Sequence, residues 1–418
     1  MIIDSLKYNG ECACGKRHYM QTEFCVISAG CLKEIEQYLA KYGLNGKYTV
    51  AVYDKNTYEA TFDRRPKADK EVVLDPIDLH ANEKGTEYLK SLLPKKTELL
   101  IAVGSGTIHD LTRYCAYVMN IDFVSCPTAA SVDGFCSSVA AMTWNGCKKT
   151  LTAVAPKIVI ADIDIIKKAP VRLAKSGFGD MIGKYVALTD WKISRILTGE
   201  FYCDKIANMT MNATQEVLSS IQGIIEGENE AYEKLTFGLL LSGLAMQMMG
   251  NSRPASGAEH HISHLIEMSP CNLALSSDAL HGEKVGIGTL LAIEEYQRLT
   301  NCKDIAFSNY QNFDKSLIFR VFGEEKTQDI LKENENDAAL EITADILSSR
   351  WSEVCYEINK LPKAEHLKAV YEKHGIKSRL CDIQVEEKYK EDLLEYSPMV
   401  RNRLTLMRIR KCIKAAKK

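Results

Sequence analysis

Residues 98–119, with the sequence ELLIAVGSGTIHDLTRYCAYVM, contain the pattern that decides the fold class. The run from Glu98 to Val103 is almost continuously apolar, as expected of a parallel strand that is buried on both faces. It leads directly into Gly104-Ser105-Gly106, after which Leu111 to Met119 have helical spacing. The stretch therefore predicts a strand, a glycine turn and a helix, which together are the repeating component of an α/β fold.

Similar strands and helices alternate on both sides of this stretch, which implies a right-handed, mostly parallel sheet. After residue 170 the apolar spacing becomes helical, no strand pattern competes with it, and residues 324–336 form a polar connection. We therefore expect a Rossmann-like nucleotide-binding α/β domain over residues 1–170 and an all-helical metal- and substrate-binding domain over residues 171–418. The predicted strands are 23–28, 48–53, 98–103, 121–126 and 157–161, and the predicted helices are 31–42, 85–93, 111–119, 180–198, 207–223, 230–249, 258–268, 285–299, 337–359 and 362–371.

The composition is that of an ordinary globular enzyme, with 418 residues, 46% hydrophobic and 26% charged. A net charge of −2 gives no electrostatic reason to expect nucleic acid or an anionic membrane as a partner. The longest apolar run, Leu235 to Met249, is too short to span a bilayer and predicts a buried helix rather than membrane insertion. The basic segment from Arg401 to Lys418 is expected to form a docked terminal helix.

The 14 cysteines are scattered and the chain starts without a secretory signal, which predicts reduced thiols and a cytoplasmic location. One local cluster stands out, Cys12-Ala13-Cys14 followed by His18. A C-x-C sequence followed by a histidine could bind zinc, but a second pair of ligands is missing nearby. We therefore expect this segment to be a tight turn.

The glycine turn at residues 104–106 has the arrangement of a phosphate-binding site. Glycines let the backbone approach an anion, and a helix N-terminus carries a partial positive charge. The turn lacks the full G-x-G-x-x-G fingerprint and is weak evidence when taken alone. The candidate nucleotide contacts in this stretch are Gly104, Ser105, Gly106, Thr107 and Asp110.

Two further loops are expected at the same edge of the sheet. In the loop Pro127–Gly134, Thr128 and Ser131 can hydrogen-bond a nucleotide, while Asp133 can reach the reacting group. Asp54 ends an earlier strand and could bind an adenosine ribose hydroxyl, which would favour NAD over NADP. An aspartate at the end of a strand is also a common turn former.

The segment Ser256–Gly288 holds four of the nine histidines and predicts a metal site. His260 and His264 are four residues apart, so both lie on one face of a helix. His281 follows after a stretch long enough for a helix hairpin, and Asp180 is the best upstream candidate for a third ligand. One aspartate and two histidines leave a coordination position open, as a catalytic metal requires. The alternatives are a surface or core histidine pair, and an Asp180 that caps a helix or pairs with Lys184.

Taken together, these motifs resemble the iron-containing alcohol dehydrogenase and dehydroquinate synthase-like superfamily, and within it the sn-glycerol-1-phosphate dehydrogenase branch. They occur in the family's order over roughly residues 20 to 300, with VRNRLTLM (400–407) extending the likeness. The motifs are GSGTIHD (104–110), PTAASVDGFCSS (127–138), GFGDMIGK (177–184), GAEHHISH (257–264) and LHGEKVG (280–286).

The resemblance implies an active site in the cleft between the two domains, with each role assigned by motif. Asp180, His260 and His281 would bind one divalent metal ion, zinc first and nickel or iron as alternatives. Asp133 and His264 would face the substrate, and Asp180 would touch both substrate and metal. The nucleotide, NAD or NADP, would be lined by Gly104, Ser105, Gly106, Thr128, Ser131 and Ser137.

The reaction implied is the reversible reduction of dihydroxyacetone phosphate to glycerol 1-phosphate. A metal ion would supply Lewis acidity at the carbonyl oxygen and the nicotinamide would supply hydride. His264, or a water held by Asp133, is the candidate proton donor, and Lys148, Lys149 and Arg253 are candidates for phosphate binding. We expect a small phosphorylated substrate and a homo-oligomer. The alternatives are a glycerol or polyol dehydrogenase, a dehydroquinate synthase-like cyclase, and a binding protein without turnover.

Overall fold

The computed structural model describes residues 1–144, 147–302 and 304–415, with the backbone alone at 147, 148 and 415. Its chain divides into two compact units. Unit 1 comprises Met1–Met181 and Gln215–Asn251, and unit 2 comprises Ile182–Thr214 and Ser252–Lys418. The domain boundary that the sequence suggests between residues 170 and 171 stays a prediction.

The described strands are short, with at most six residues each. They are β1 (Ile2–Asp4), β2 (Gly10–Glu11), β3 (Arg17–His18), β4 (Phe24–Ser28), β5 (Thr49–Asp54), β6 (Lys70–Leu74), β7 (Leu99–Gly104), β8 (Asp122–Pro127), β9 (Val139–Trp144), β10 (Cys147–Thr152), β11 (Ile158–Asp162), β12 (Ile305–Phe307) and β13 (Ile413–Ala415).

The helices occupy most of the second half of the chain. They are α1 (Ile35–Lys41), α2 (Lys55–Ala60), α3 (Glu83–Leu92), α4 (Gly106–Met119), α5 (Ile163–Ile166), α6 (Val171–Ile182), α7 (Lys184–Thr198), α8 (Asp204–Ser219), α9 (Ile221–Glu226), α10 (Asn229–Met249), α11 (Ala258–Met268), α12 (His281–Thr300), α13 (Lys315–Glu333), α14 (Ala344–Ile358), α15 (Ala364–Lys373) and α16 (Lys390–Tyr396).

Unit 1 is built on a seven-stranded sheet in the order β1-β4-β11-β8-β7-β5-β6. All neighbours pair in parallel except β1, which is antiparallel to β4. The central strands β7 and β11 are buried along their whole length, which explains their continuous apolar sequence. The predicted mixed α/β fold with a mostly parallel sheet is therefore confirmed.

The apolar run Leu235 to Met249 lies in the 21-residue helix α10 of unit 1, as a buried helix rather than a surface one. Helix α10 packs closely on the 3₁₀ turn Asp133–Cys136, because Gly243 leaves no side chain between them. A Cβ at Gly243 would lie 2.9 Å from the Asp133 carbonyl oxygen. Within the described residues, no helix combines the length and the apolar character needed to cross a membrane.

Unit 2 is mostly helical but contains one short antiparallel pair, β12 with β13. The expectation of an all-helical second domain is therefore wrong at this pair. Residues 410–415 form a 3₁₀ turn and strand β13, not the predicted terminal helix, because β12 offers an edge with which they pair. Residues 324–333, predicted as a polar connection, instead belong to helix α13.

Candidate functional site

The glycine turn joins the end of β7 to the start of α4, and its two glycines have different structural reasons. A Cβ at Gly104 would lie 2.6 Å from the Cβ of Ile108, so only glycine fits there. At Gly106, the first residue of α4, the nearest atom to an added Cβ is the Val132 Cγ2 at 3.7 Å. Since the first N–H groups of a helix have no partner within it, the backbone at Gly106 is accessible to an anion.

Gly104 lies at the point where the strand order of the sheet reverses. Strand β5 pairs with β6 on one side and with β7 on the other. Asp54 ends β5, beside the β7 strand that ends at Gly104. Ligands of open α/β sheets bind outside the carboxyl ends of the strands at such a reversal. The Asp54 carboxylate also caps α2, accepting from the Thr57 N–H at 2.8 Å. Asp54 therefore has a structural role at the turn after β5, as expected of an aspartate at the end of a strand.

The other predicted nucleotide contacts of unit 1 surround the same turn. The hydroxyls of Ser105 and Ser131 are 3.1 Å apart, and the Thr128 N–H donates to the Gly104 carbonyl at 2.9 Å. The Ser137 hydroxyl oxygen accepts from the Val139 N–H. Thr107 lies in the first turn of α4.

Asp110 has a structural partner, the buried Arg113 at 3.3 Å. The guanidinium of Arg113 in turn donates to three backbone carbonyls that follow Asp133. They belong to Gly134, Phe135 and Val139. The Asp110–Arg113 pair therefore stabilises the loop beside the glycine turn.

Helix α6 holds the loop Pro127–Gly134 through close backbone contact. A Cβ at Gly177 would lie 2.1 Å from the Ala130 carbonyl oxygen, so glycine is required. One helical turn further on, the buried Asp180 accepts from the Asp133 N–H at 3.0 Å. The Asp133 carboxylate accepts from the Ser242 hydroxyl at 2.8 Å. Unit 1 thus brings Asp133 and Asp180 together, and both carboxyl groups are held in place.

In unit 2 the histidines are brought together by the close packing of α11 against α12. A Cβ at Gly288 of α12 would lie 2.5 Å from the Glu259 carbonyl oxygen of α11. The two helix backbones therefore touch at this glycine. His260 and His264 lie on α11, and His281 is the first residue of α12.

The three imidazoles form a compact triangle. The ring centroids are 5.4 Å apart for His260 and His281, and 6.0 Å apart for each of the other two pairs. His264, Glu267 and His281 also place one ligand atom each within 4.8 Å of one another. The predicted helix hairpin is confirmed. It brings His264 close to His260 and His281, the two predicted histidine ligands.

Two carboxylates that the sequence analysis missed orient these histidines. The His260 Nδ1 lies 2.6 Å from the Glu259 Oε1, and the His281 Nδ1 lies 2.9 Å from the Glu267 Oε1. Metal-binding histidines usually donate one ring N–H to a carboxylate and ligate through the other nitrogen. The donor set therefore fits a metal ion bound through the two Nε2 atoms. The signal was present in the sequence as Glu259-His260 and as the spacing of Glu267 from His264.

The charge states of Glu267 and His264 favour the binding of a cation. Burial opposes ionisation, but His281 and then His264 hold the pKa of Glu267 below its ordinary value, so its carboxylate is charged. Burial lowers the pKa of His264 to about 3; Glu267 opposes this shift, while His260 and His281 add to it. His264 is therefore neutral at physiological pH, with one ring nitrogen as donor and the other as acceptor.

Asp190 of α7 fixes the start of the histidine helix. Its carboxylate accepts from the N–H of Ala258, the first residue of α11, at 2.9 Å, and from the Tyr296 hydroxyl at 2.8 Å. Burial raises the pKa of Asp190 to about 7, although these hydrogen bonds oppose the shift. No local sequence pattern predicts these contacts, because the partners are 68 and 106 residues away from Asp190.

The motif residue His109 and the phosphate candidate Arg253 have structural roles. His109 is buried between the Ser105 carbonyl and the Ser125 hydroxyl, and burial lowers its pKa to about 3. Arg253, a phosphate candidate, is buried against Glu200 and donates to the Leu404 carbonyl at 2.8 Å. Lys149 is half-buried, and the side chain of Lys148 lies outside the described residues.

A parallel sheet with a glycine turn at a helix N-terminus, and a helical unit with three adjacent histidines, are features expected of a nucleotide-linked dehydrogenase that binds a metal ion. Comparison with known proteins agrees. The profile of the iron-containing alcohol dehydrogenase family matches residues 26–170. The chain is 38% identical over 305 residues to a glycerol-1-phosphate dehydrogenase [NAD(P)+] of Bacillus licheniformis, covering 69% of this chain and 74% of that protein.

A second relative covers nearly the whole length. The glycerol-1-phosphate dehydrogenase [NAD(P)+] of Halalkalibacterium halodurans is 30% identical over 418 residues, with 97% of each chain covered. Among solved structures, the glycerol dehydrogenase of Schizosaccharomyces pombe matches with a TM-score of 0.54 and 21% identity, over 93% of this chain and 95% of that one. This last likeness shows the fold alone. The chain belongs to the iron-containing alcohol dehydrogenase family and, within it, to the glycerol-1-phosphate dehydrogenases.

Proposed function

We propose that the protein catalyses the reversible, metal-dependent and NAD(P)H-linked reduction of dihydroxyacetone phosphate to glycerol 1-phosphate. The observation that carries this proposal is the 38% identity, over about two thirds of the chain, to a glycerol-1-phosphate dehydrogenase [NAD(P)+]. The triangle of His260, His264 and His281 supports it, because reduction of a ketone needs a group that stabilises negative charge on its oxygen.

The proposed metal ligands are His260, His281 and Asp180. The carboxylate partners of the two histidines support their role, and Asp180 adds a buried carboxylate from the GFGDMIGK motif. One carboxylate and two imidazoles suit zinc first, with nickel or iron as alternatives. A metal ion bound there would supply Lewis acidity toward a carbonyl oxygen.

The chain's own residues would position the reactants around that ion. Asp133, held by the Ser242 hydroxyl, is the proposed anchor for a water or a substrate hydroxyl. His264, neutral and adjacent to both other histidines, is the proposed proton relay: one ring nitrogen releases a proton to the product oxygen while the other accepts a proton from water. Glu259 and Glu267 keep His260 and His281 in fixed orientations.

The proposed nucleotide site is the glycine turn with the loop beside it. The pyrophosphate of NAD or NADP would lie on the first turn of α4, near Gly106 and Thr107. Ser105, Ser131 and Thr128 would contribute hydrogen bonds around the turn. Gly104, Asp110 and Ser137 would hold the turn and its loop in the conformation that binds the nucleotide. Asp54 would bind the ribose at the neighbouring strand end.

Gly106→Ala tests this nucleotide site. The added methyl group meets only ordinary contact inside the protein, the Val132 side chain at 3.7 Å, so the free energy of unfolding should hardly change. A pyrophosphate on this backbone would be displaced, and the KM for NADH should rise about tenfold, or about 1.4 kcal/mol. Steady-state kinetics with varied NADH measures it. An unchanged KM would place the nucleotide elsewhere.

We further propose a homo-oligomer in the cytoplasm that acts on a small phosphorylated molecule. No disulfide links cysteines in the part of the chain that the structure describes, which supports a reducing compartment. Sedimentation of the purified protein measures the oligomeric state.

The test of the function is NADH oxidation by the metal-loaded protein, with dihydroxyacetone phosphate and unphosphorylated dihydroxyacetone compared side by side. We expect turnover of the phosphate ester in preference to the free ketone. Turnover of the free ketone alone would instead identify a glycerol or polyol dehydrogenase. Absence of turnover with either ketone, in a protein that has bound metal, would favour a cyclase.

A further inference from the structure

The hairpin of β2 and β3 near the N-terminus has no role in the function proposed above. Its ladder consists of two residue pairs, Gly10 with His18 and Glu11 with Arg17. A ladder of this length is not stable by itself, so something else must hold the hairpin in its conformation. Between the strands the chain turns through Cys12 and Cys14, with the Gly15 N–H donating to the Cys12 carbonyl at 2.9 Å.

This turn brings the two cysteines and His18 to one point. Cys12, Cys14 and His18 each place a ligand atom within 4.8 Å of the others. The Cys14 Sγ lies 3.2 Å from the His18 Nε2. In a tetrahedral zinc site, with Zn–S about 2.3 Å and Zn–N about 2.0 Å, a sulfur and a nitrogen ligand are about 3.5 Å apart. The spacing in the structure is therefore close to that of two ligands of one ion.

The histidine of this cluster is oriented in the way a metal ligand requires. His18 is 2% exposed, and its Nδ1 lies 2.9 Å from the carbonyl oxygen of Met248, at the end of α10. Because that carbonyl can only accept a hydrogen bond, Nδ1 carries the proton and Nε2 presents a lone pair toward the cysteines. A backbone carbonyl in this role is a usual outer partner of metal-binding histidines.

We propose that Cys12, Cys14 and His18 bind a structural zinc ion, in addition to the metal ion of the histidine triangle. Two thiolates and one imidazole are three of the four protein ligands of a usual structural zinc site, and a further side chain would complete the tetrahedron. The ion would hold the hairpin closed. Through His18 and Met248 it would also attach the hairpin to the end of α10. This inference does not depend on the proposed reaction.

Cobalt substitution of the full-length protein tests the proposal and separates the two metal sites. Thiolate ligation of Co²⁺ gives a charge-transfer absorption in the near ultraviolet, whereas a site of carboxylate and imidazole ligands gives none. We expect this absorption in the wild-type protein and in His260→Ala/His281→Ala, and its loss in Cys12→Ser/Cys14→Ser. The control Cys271→Ser/Cys381→Ser replaces two exposed cysteines and should keep it.

Metal analysis under reducing conditions gives the second readout. The wild-type protein should hold two metal ions per chain, Cys12→Ser/Cys14→Ser one, and the control variant two. If the double serine variant does not fold, His18→Cys is measured instead. It retains a ligand at position 18 and should keep the cobalt absorption. A wild-type protein without thiolate absorption, holding one metal ion per chain, would overturn the proposal. The contact between Cys14 and His18 would then be a thiol–imidazole hydrogen bond.

Discussion

His260→Ala and His281→Ala should each lose the bound divalent metal and lower kcat/KM for dihydroxyacetone phosphate by about a thousandfold or more. The expected loss corresponds to about 4 kcal/mol of transition-state stabilisation, the amount that a Lewis acid at the reacting oxygen can supply. Each substitution removes one of two imidazoles whose ring centroids are 5.4 Å apart, and it also removes the histidine contact of a buried carboxylate. Both effects weaken the site.

Metal content and steady-state rates, measured on the same preparations, distinguish the roles of the three histidines. His264→Ala should lower activity far more than metal content if His264 relays protons. Equal loss of metal and activity would instead indicate that His264 is a metal ligand. His264, Glu267 and His281 already place their ligand atoms close enough to hold one ion. His366→Ala, on the exposed side of α15, is the control and should change neither. Full activity in His260→Ala or His281→Ala would contradict the proposed metal site.

Gly288→Ala should both destabilise unit 2 and weaken metal binding, although it touches no ligand. The added Cβ would lie 2.5 Å from the Glu259 carbonyl oxygen, and a backbone atom cannot move aside as a side-chain end can. Helices α11 and α12 must therefore separate, at a cost of about 1–3 kcal/mol. The separation moves His260 away from His281, so we expect metal affinity to fall at least about tenfold.

Denaturant unfolding and metal titration measure the two effects of Gly288→Ala. Gly106→Ala is the matched control for the exchange of glycine for alanine, because its Cβ meets no close atom. If Gly288→Ala lowered stability but left metal affinity unchanged, the histidine triangle would not depend on the packing of these two helices.

Much of the fold could be predicted because its signals are local. The strands around residues 24–28, 49–54, 99–104, 122–127 and 158–162 are apolar runs that need only their own residues to be recognised. The apolar pattern does not predict strand β6, because Lys70 and Glu71 make its start polar, as suits the edge of the sheet. The pairing of β12 with β13 joins residues more than 100 positions apart, and nothing local marks it.

In the candidate site, too, features with a local sequence signal could be predicted, and contacts between distant residues could not. The spacing of His260 and His264 and the glycine turn at Gly104 follow from sequence, since a helix and a strand end place those residues. The carboxylate partners of the histidines could not be predicted from the sequence. Glu267 contacts His281 because helices α11 and α12 pack closely at Gly288. The sequence predicts a tight turn at Cys12–His18 because a second pair of ligands is missing nearby. The carbonyl that orients His18 could not be predicted, since it belongs to Met248, 230 residues away.

The most direct test of the proposed function is the rate of NADH oxidation with dihydroxyacetone phosphate before and after removal of metal by a chelator, and again after a divalent ion is restored. Metal-dependent reduction of this ketone predicts loss of the rate on chelation and its recovery with zinc or nickel, with little turnover of unphosphorylated dihydroxyacetone. An undiminished rate in the metal-free protein, or no turnover of dihydroxyacetone phosphate in the reloaded one, would contradict it.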